Sequence, residues 1–215
     1  MADLVDVLRA DHEQTLHLLD LLLRAPTGRG EDNLRANEMT QELVILCSGH
    51  EAVEEMHFWP AVRELVPRGI ELTDAGLEQE RAAKWVLHHL NGRVPEDVEY
   101  GDLLREFAEA TRAHIAFEQD EVWPPFLEAV GIPAREELGA AAVRDKRIAP
   151  TRPHPGTPAT PRVLGTAGRL TALADRALDA VLGRGRRFAA GQGGAGTAEE
   201  EPGPGDAAEG LPPPE

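Results

Sequence analysis

The sequence predicts an all-α protein: an up-down-up-down four-helix bundle, then a short extra helix, a Pro-rich linker, a C-terminal amphipathic helix and a disordered tail. Three observations carry this prediction. Apolar residues recur at helical spacing in four long segments. The alternation of apolar and polar residues that marks strands is almost absent. The breaks between segments span only a few residues, which favours antiparallel neighbours.

The first helix is expected over Asp3–Ala25, with Leu4, Leu8, Leu19 and Leu22 at stripe spacing and "APTGRG" as its end. The second is expected over Glu31–Val66, with Met39, Leu43, Leu46, Val53, Ala61 and Leu65 on one stripe and "PRG" as its stop. The third is expected over Thr73–Leu90, closed by Asn91-Gly92. The fourth is expected over Glu96–Val130, closed by Gly131. Pro133–Arg147 reads as a short extra helix with Pro at its start. Together these give a bundle domain over residues 1–147.

The next segment, residues 148–161, holds five Pro in "IAPTRPHPGTPATP" and reads as an extended linker. Residues 162–187 read as a basic amphipathic helix, with Leu170, Leu173, Ala177, Leu178 and Val181 on one face. That face suits docking on the bundle, dimerisation into a homo-oligomer, or an anionic lipid surface, docking being the simplest reading. Residues 188–215 are acidic and rich in Pro and Gly, a composition that predicts disorder.

Charge narrows the function classes. Residues 1–143 hold 12 Lys/Arg against 29 Asp/Glu, whereas residues 144–187 hold 10 against 3. An acidic bundle disfavours nucleic acid, which needs clustered cations, and attracts metal cations. The lone Cys47 excludes an intrachain disulfide framework. The first residues show no basic stretch before an apolar run, and no segment approaches the ~18 apolar residues of a membrane span. A cytoplasmic location is the expectation. Neither a nucleophilic triad nor a Gly-rich phosphate loop can be read from the chain.

One pattern occurs twice. "HEAVEEMHFWP" runs from His50 to Pro60, and "HIAFEQDEVWP" from His114 to Pro124, 64 residues later. In each, Glu follows His by four residues and Trp-Pro follows by nine. Positions i and i+4 share a helix face, so each His-Glu pair can reach one ion. Both pairs lie on the apolar stripe, where unpaired carboxylates cost several kcal/mol unless a cation neutralises them. His12 also falls on the apolar side of its helix. Pro60 and Pro124 predict kinks, with Trp59 and Trp123 capping the cavity. The second His of a zinc-protease motif is missing from "HEAVE", and a second Glu-x-x-His is missing for a ferritin-like site. Cys47 reads as a core filler, or else as a redox switch one turn from His50.

"DHEQTLHLL" and the two "H-x-x-x-E…WP" runs resemble the hemerythrin-like HHE cation-binding family, over about residues 3–130. The Pro-rich extension looks like that of some bacterial members. The resemblance implies a four-helix bundle around a non-haem di-iron site that binds, senses or consumes O2, peroxide or nitric oxide. It implies His12, His50, Glu54, His114 and Glu118 as ligands, Glu54 as the bridging carboxylate. On the third helix the family usually places a His where "EQERAAKW" has Glu80. Glu80 is then either a replacement ligand or half of a surface ion pair with Lys84; His88 is a weaker candidate. Three His and three Glu make a harder donor set than the family's oxygen carriers have, so iron is expected and manganese is possible. Three readings stay open: a centre that binds or consumes a small oxidant, a redox or stress sensor acting through the C-terminal helix, and a metal-free structural bundle.

Overall fold

A computed structural model of the chain describes residues 2–25, 30–155 and 169–182. The residues from 183 on, the acidic tail among them, lie outside this description, as does most of the Pro-rich segment beyond residue 155. All regular structure among the described residues is helical. None of these helices is long and apolar enough to cross a membrane.

Helix α1 spans Leu4–Arg24 and is capped by Asp3, whose carboxylate accepts the Val5 amide at 3.0 Å. The same carboxylate holds Arg135 at 2.6 Å, tying the start of the bundle to a later helix. Helix α2 spans Glu31–Val53 and α3 spans Trp59–Leu65. Helix α4 spans Gly69–Leu90, α5 Tyr100–Phe117 and α6 Trp123–Ala129.

Between α2 and α3, and again between α5 and α6, the chain makes a wider π turn, over Glu54–Phe58 and Glu118–Val122. The cause is the Trp-Pro pair. Pro60 and Pro124 have no amide to donate, and their rings collide with the carbonyl four residues back. Widening the preceding turn relieves that collision. The Trp amide then bonds five residues back: Trp59 to the Glu54 carbonyl, Trp123 to the Glu118 carbonyl. The expected kinks thus take the form of π turns, each starting at the Glu of the repeated motif.

Two helix starts differ from the sequence expectation. Helix α4 begins at Gly69 rather than Thr73, because Arg68 takes a left-handed conformation (φ 59°) that reverses the chain within one residue. A Cβ at Gly69 would meet the Val62 carbonyl oxygen at 2.1 Å, so only Gly permits this close start. Helix α5 begins at Tyr100 rather than Glu96, because Asp97 accepts the Val94 amide at 3.1 Å in a local turn.

The core falls into two apolar clusters. One gathers Leu19 and Leu22 of α1, Leu43 and Leu46 of α2, Leu87 and Leu90 of α4, and Leu104 and Phe107 of α5. The other gathers Leu4 and Leu8 of α1, Phe58 and Trp59, Leu72 of α4, and Val122 and Phe126. Along α1 and α4 the order is second cluster then first; along α2–α3 and α5–α6 it is reversed. That alternation is the up-down-up-down topology. Each helix crosses from one cluster to the other through His12, His50 and Glu54, Glu80, or His114 and Glu118, so a buried polar layer divides the core.

Helix packing near this layer depends on Gly76 of α4. A Cβ there would lie 2.2 Å from Cη2 of Trp59, so the indole edge lies flat against the α4 backbone.

Helix α7, Ile132–Lys146, packs along α1 and α2. A Cβ at Gly139 would meet the Ala2 carbonyl oxygen at 2.2 Å, so α7 presses directly on the chain entering α1. Residues 147–155 then run back over α2, with Ala149 against Gly49. Helix α8, Arg169–Leu182, is held by this strand of chain. Asp179 accepts from Thr151 at 2.5 Å and from Arg152 at 2.7 Å, and Asp175 lies 3.0 Å from His154. The docked face is therefore Ala172, Asp175 and Asp179. Leu173 and Leu178, expected to face inward, are exposed. Polar partners in residues 151–154, Arg152 among them, hold this helix by its Asp175 and Asp179 face instead of its apolar stripe.

Candidate metal centre

The repeated motif puts His50 and Glu54 one turn apart at the end of α2, and His114 and Glu118 one turn apart at the end of α5. His12 comes from α1 and Glu80 from α4. All six are buried. Their donor atoms form two groups: His12, His50 and Glu54; and Glu54, Glu80, His114 and Glu118. Within each group the atoms lie within 4.8 Å of one another. Glu54 belongs to both. Glu118 also faces both sides, with Oε2 3.3 Å from His12 Nε2 and Oε1 3.4 Å from His114 Nε2. His50 Nε2 lies 3.2 Å from His12 Nε2 and 3.0 Å from Glu54 Oε1.

The outward nitrogen of each ring has its own partner. Asp11 Oδ2 stands 3.3 Å from His50 Nδ1, Gln79 Oε1 3.4 Å from His114 Nδ1, and Gln119 Nε2 3.4 Å from His12 Nδ1. At His50 and His114 an acceptor oxygen on Nδ1 fixes the ring and leaves Nε2 for the cavity, whereas at His12 the Gln119 amide group lies against Nδ1. Each partner is the chain neighbour of a candidate ligand, yet serves a ring on a different helix. Lys146 of α7 in turn donates to Asp11. The two Trp wall the layer. Trp59 donates its indole N–H to Glu80, and Trp123 stacks on His12 at 5.3 Å with planes 3° apart. The Arg9 guanidinium also lies over the Trp123 ring, 4.8 Å from its centroid.

These residues suit a cation. Among the described residues, both oxygens of Glu54 and of Glu118, Oε2 of Glu80 and Nε2 of His114 are buried without a hydrogen bond. Leaving such atoms unpaired costs about 1–3 kcal/mol each, and more when charged. Without an ion the layer must redistribute protons. Burial raises Glu118 to about 7, and burial beside Glu54 and Glu55 raises Glu80 well above its usual range. Burial holds His12 down at about 3 and His114 at about 4. His50 goes the other way: burial opposes its charge, but Glu54 and Asp11 hold its pKa well above the ordinary value. A cavity of about 30 Å3 lies within the layer, lined by His12, His50, Glu54, Glu80 and His114 together with Thr15, Cys47, Phe107 and Thr111. It has room for a species the size of a water molecule or slightly larger.

Other residues singled out in the sequence lie elsewhere. Lys84 does not pair with Glu80; it bonds Glu55 at 2.6 Å and approaches Glu51 at 3.5 Å. His88 and His89 are exposed around Trp85, away from the layer. His57 meets Asp145 of α7 at 3.0 Å. Cys47 lines the cavity, but its thiol is buried, which pushes its pKa well up and disfavours the reactive thiolate. Asp11, Gln79, Gln119 and Lys146 went unnoticed in the sequence. Three of them had a signal, adjacency to a candidate ligand.

The crystal structure of a hemerythrin HHE cation-binding domain-containing protein, the Rv2633c homologue from Mycobacterium kansasii, matches with a TM-score of 0.59 at 20% identity. The match covers 81% of this chain and 99% of that one, and shows the shared fold. No protein of curated function matches the chain. The family model of the hemerythrin HHE cation binding domain matches residues 3–125, which include all six residues of the layer. The chain belongs to the hemerythrin HHE cation-binding domain family.

Proposed function

We propose that the protein holds a pair of metal ions, iron first among them, between His12, His50, Glu54, Glu80, His114 and Glu118, and that it binds or consumes a small oxidant there. The observation that carries this reading is the set of buried carboxylate oxygens, without hydrogen bonds, that face imidazoles in two donor groups. An iron pair would supply redox chemistry toward O2, peroxide or nitric oxide. The chain's own residues do the rest. Glu54 and Glu118 face both groups; Asp11, Gln79 and Gln119 orient the imidazoles; Phe107 and Ile115 keep the cavity wall apolar. A cavity of about 30 Å3 that must also take the ions leaves room only for a small ligand.

The test is anaerobic loading with Fe(II), followed by elemental analysis and by peroxide and nitric oxide turnover. About two irons per chain are expected, lost in His50→Ala. Metal at background in the wild-type chain would leave a structural bundle.

A sensor role rests on one observation. Glu51 lines both the metal-layer cavity and a cleft beneath Pro150, Arg152 and His154. Under that reading, cleavage of the 148–161 segment by protease differs between oxidised and reduced protein. Identical cleavage in both states would count against it.

A further inference from the structure

The internal repeat makes the two halves of the layer comparable position by position, and shows that they are not alike. Helices α1 and α2 supply His12, His50 and Glu54. Helices α4 and α5 supply Glu80, His114 and Glu118. Glu80 thus stands where His12 stands in the other half. The outer contacts repeat the difference. His50 is held by the carboxylate of Asp11, and Asp11 by Lys146. His114 is held by the neutral amide of Gln79. Glu80 has one oxygen engaged by the Trp59 N–H and leaves Oε2 buried and unpaired. Trp123 stacks on His12 instead, and among the described residues its N–H has no hydrogen-bond partner.

Building on the reading above, we propose that the two metal positions differ in selectivity: the one at His12 and His50 selects iron, the one at Glu80 and His114 admits manganese(II), and the chain assembles a mixed iron–manganese pair. Two chemical facts support this. Imidazole suits iron, and carboxylate suits manganese. With Glu54 and Glu118 shared, the first position has two imidazoles of its own, whereas the second has one imidazole and one carboxylate. Divalent-metal affinity rises from manganese to iron at any such site. Replacing an imidazole by a carboxylate narrows that gap at one position only. An outer carboxylate on His50 further raises that ring's basicity and its hold on the more strongly bound ion.

The experiment loads the full chain anaerobically with equal Fe(II) and Mn(II), removes loose metal, and reads both elements together with the Mn(II) electron paramagnetic resonance signal. About one iron and one manganese per chain are expected, with the manganese signal altered by its neighbour. Glu80→His should replace the manganese with a second iron. Glu80→Gln keeps the size of Glu80 and an oxygen for the Trp59 N–H; it should retain the iron and lose the manganese. Far-ultraviolet circular dichroism confirms that each variant is folded. Two irons in the wild-type chain under this competition would overturn the proposal, as would a mixture that Glu80→His and Glu80→Gln leave unchanged. Absence of both metals from the wild-type chain would overturn the underlying metal-centre reading and this proposal with it.

Discussion

Asp11 faces Nδ1 of His50 at 3.3 Å, while its chain neighbour His12 turns Nε2 to within 3.2 Å of Nε2 on that same ring. One step along α1 thus contacts both nitrogens of one imidazole on α2. Gln79 and Glu80 repeat the device on α4, facing His114 with Nδ1 at 3.4 Å and Nε2 at 4.0 Å. Removing such an outer partner typically costs 10–100-fold in metal affinity. Asp11→Ala should weaken iron binding by about that factor, measured by competition with a chromophoric chelator. Lys146→Met should have a smaller effect in the same direction.

Glu118 gives a prediction in pH. Its carboxyl is fully buried, and its pKa rises from 4.5 to about 7 in the folded chain. Below 4.5 the group is neutral in both the folded and unfolded states and costs nothing. Between pH 4.5 and about 7 the unfolded chain ionises while the folded one keeps its proton, so the metal-free fold loses stability across that range and no further above it. Metal-free Glu118→Gln should match the wild type near pH 4.5 and exceed it by about 3 kcal/mol at pH 8, from the cost per pKa unit. The depressed His12 and His114 work in the opposite sense as pH rises toward 6.5; both rings lie against Glu118, so the substitution shifts them at low pH, whereas at pH 8 they are neutral in both the folded and unfolded states. Urea titrations at the two pH values read this directly. The same variant should bind less metal.

Leu87 separates stability from the centre. It is fully buried in the cluster on the far side of the layer from Trp59. Leu87→Ala should cost about 2–5 kcal/mol while leaving metal stoichiometry intact. Equal loss of metal and stability would mean that the two regions unfold as one.

Lys84 bridges α4 to α2 through Glu55 and Glu51, with all three side chains largely out of solvent. Lys84→Met leaves two buried carboxylates without their cation, a loss of about 3–5 kcal/mol in such settings. Because burial already raises Glu51 to about 7, its proton should be retained to still higher pH in the variant. Thermal melts across pH 6–9 check both points, with the deficit growing as pH rises.

The four helices and the burial of His12, His50, Glu54, His114 and Glu118 were legible because both follow from residue spacing along a single helix; Glu80 was marked only by the family resemblance, with a surface pair to Lys84 as the alternative. His12, His50 and His114 fell on apolar stripes, and the structure buries them. The alternative of a Glu80–Lys84 pair fails, because i,i+4 spacing names a possible partner and cannot see Glu51 and Glu55 beyond the helix. Helix α8 was turned around for a related reason. Its Leu stripe pointed inward on paper, yet Asp175 and Asp179 found Arg152 and His154 in a segment with no periodicity of its own. The π turns left only the Trp-Pro pairs as a trace. Pro announces that the helix must yield but does not say how.

The bare backbone at Gly76 ties two quantities together. Any side chain there would hold α4 further from Trp59, whose indole reaches Glu80 one turn along. The distance between two helices and the stance of one carboxylate are therefore a single variable. If the bundle breathes at this end, the slack is felt by Glu80 and spares His12 and His50. A missing methyl group at Gly76 would then add to the difference that Glu80 and Gln79 already make between the two sides of the layer.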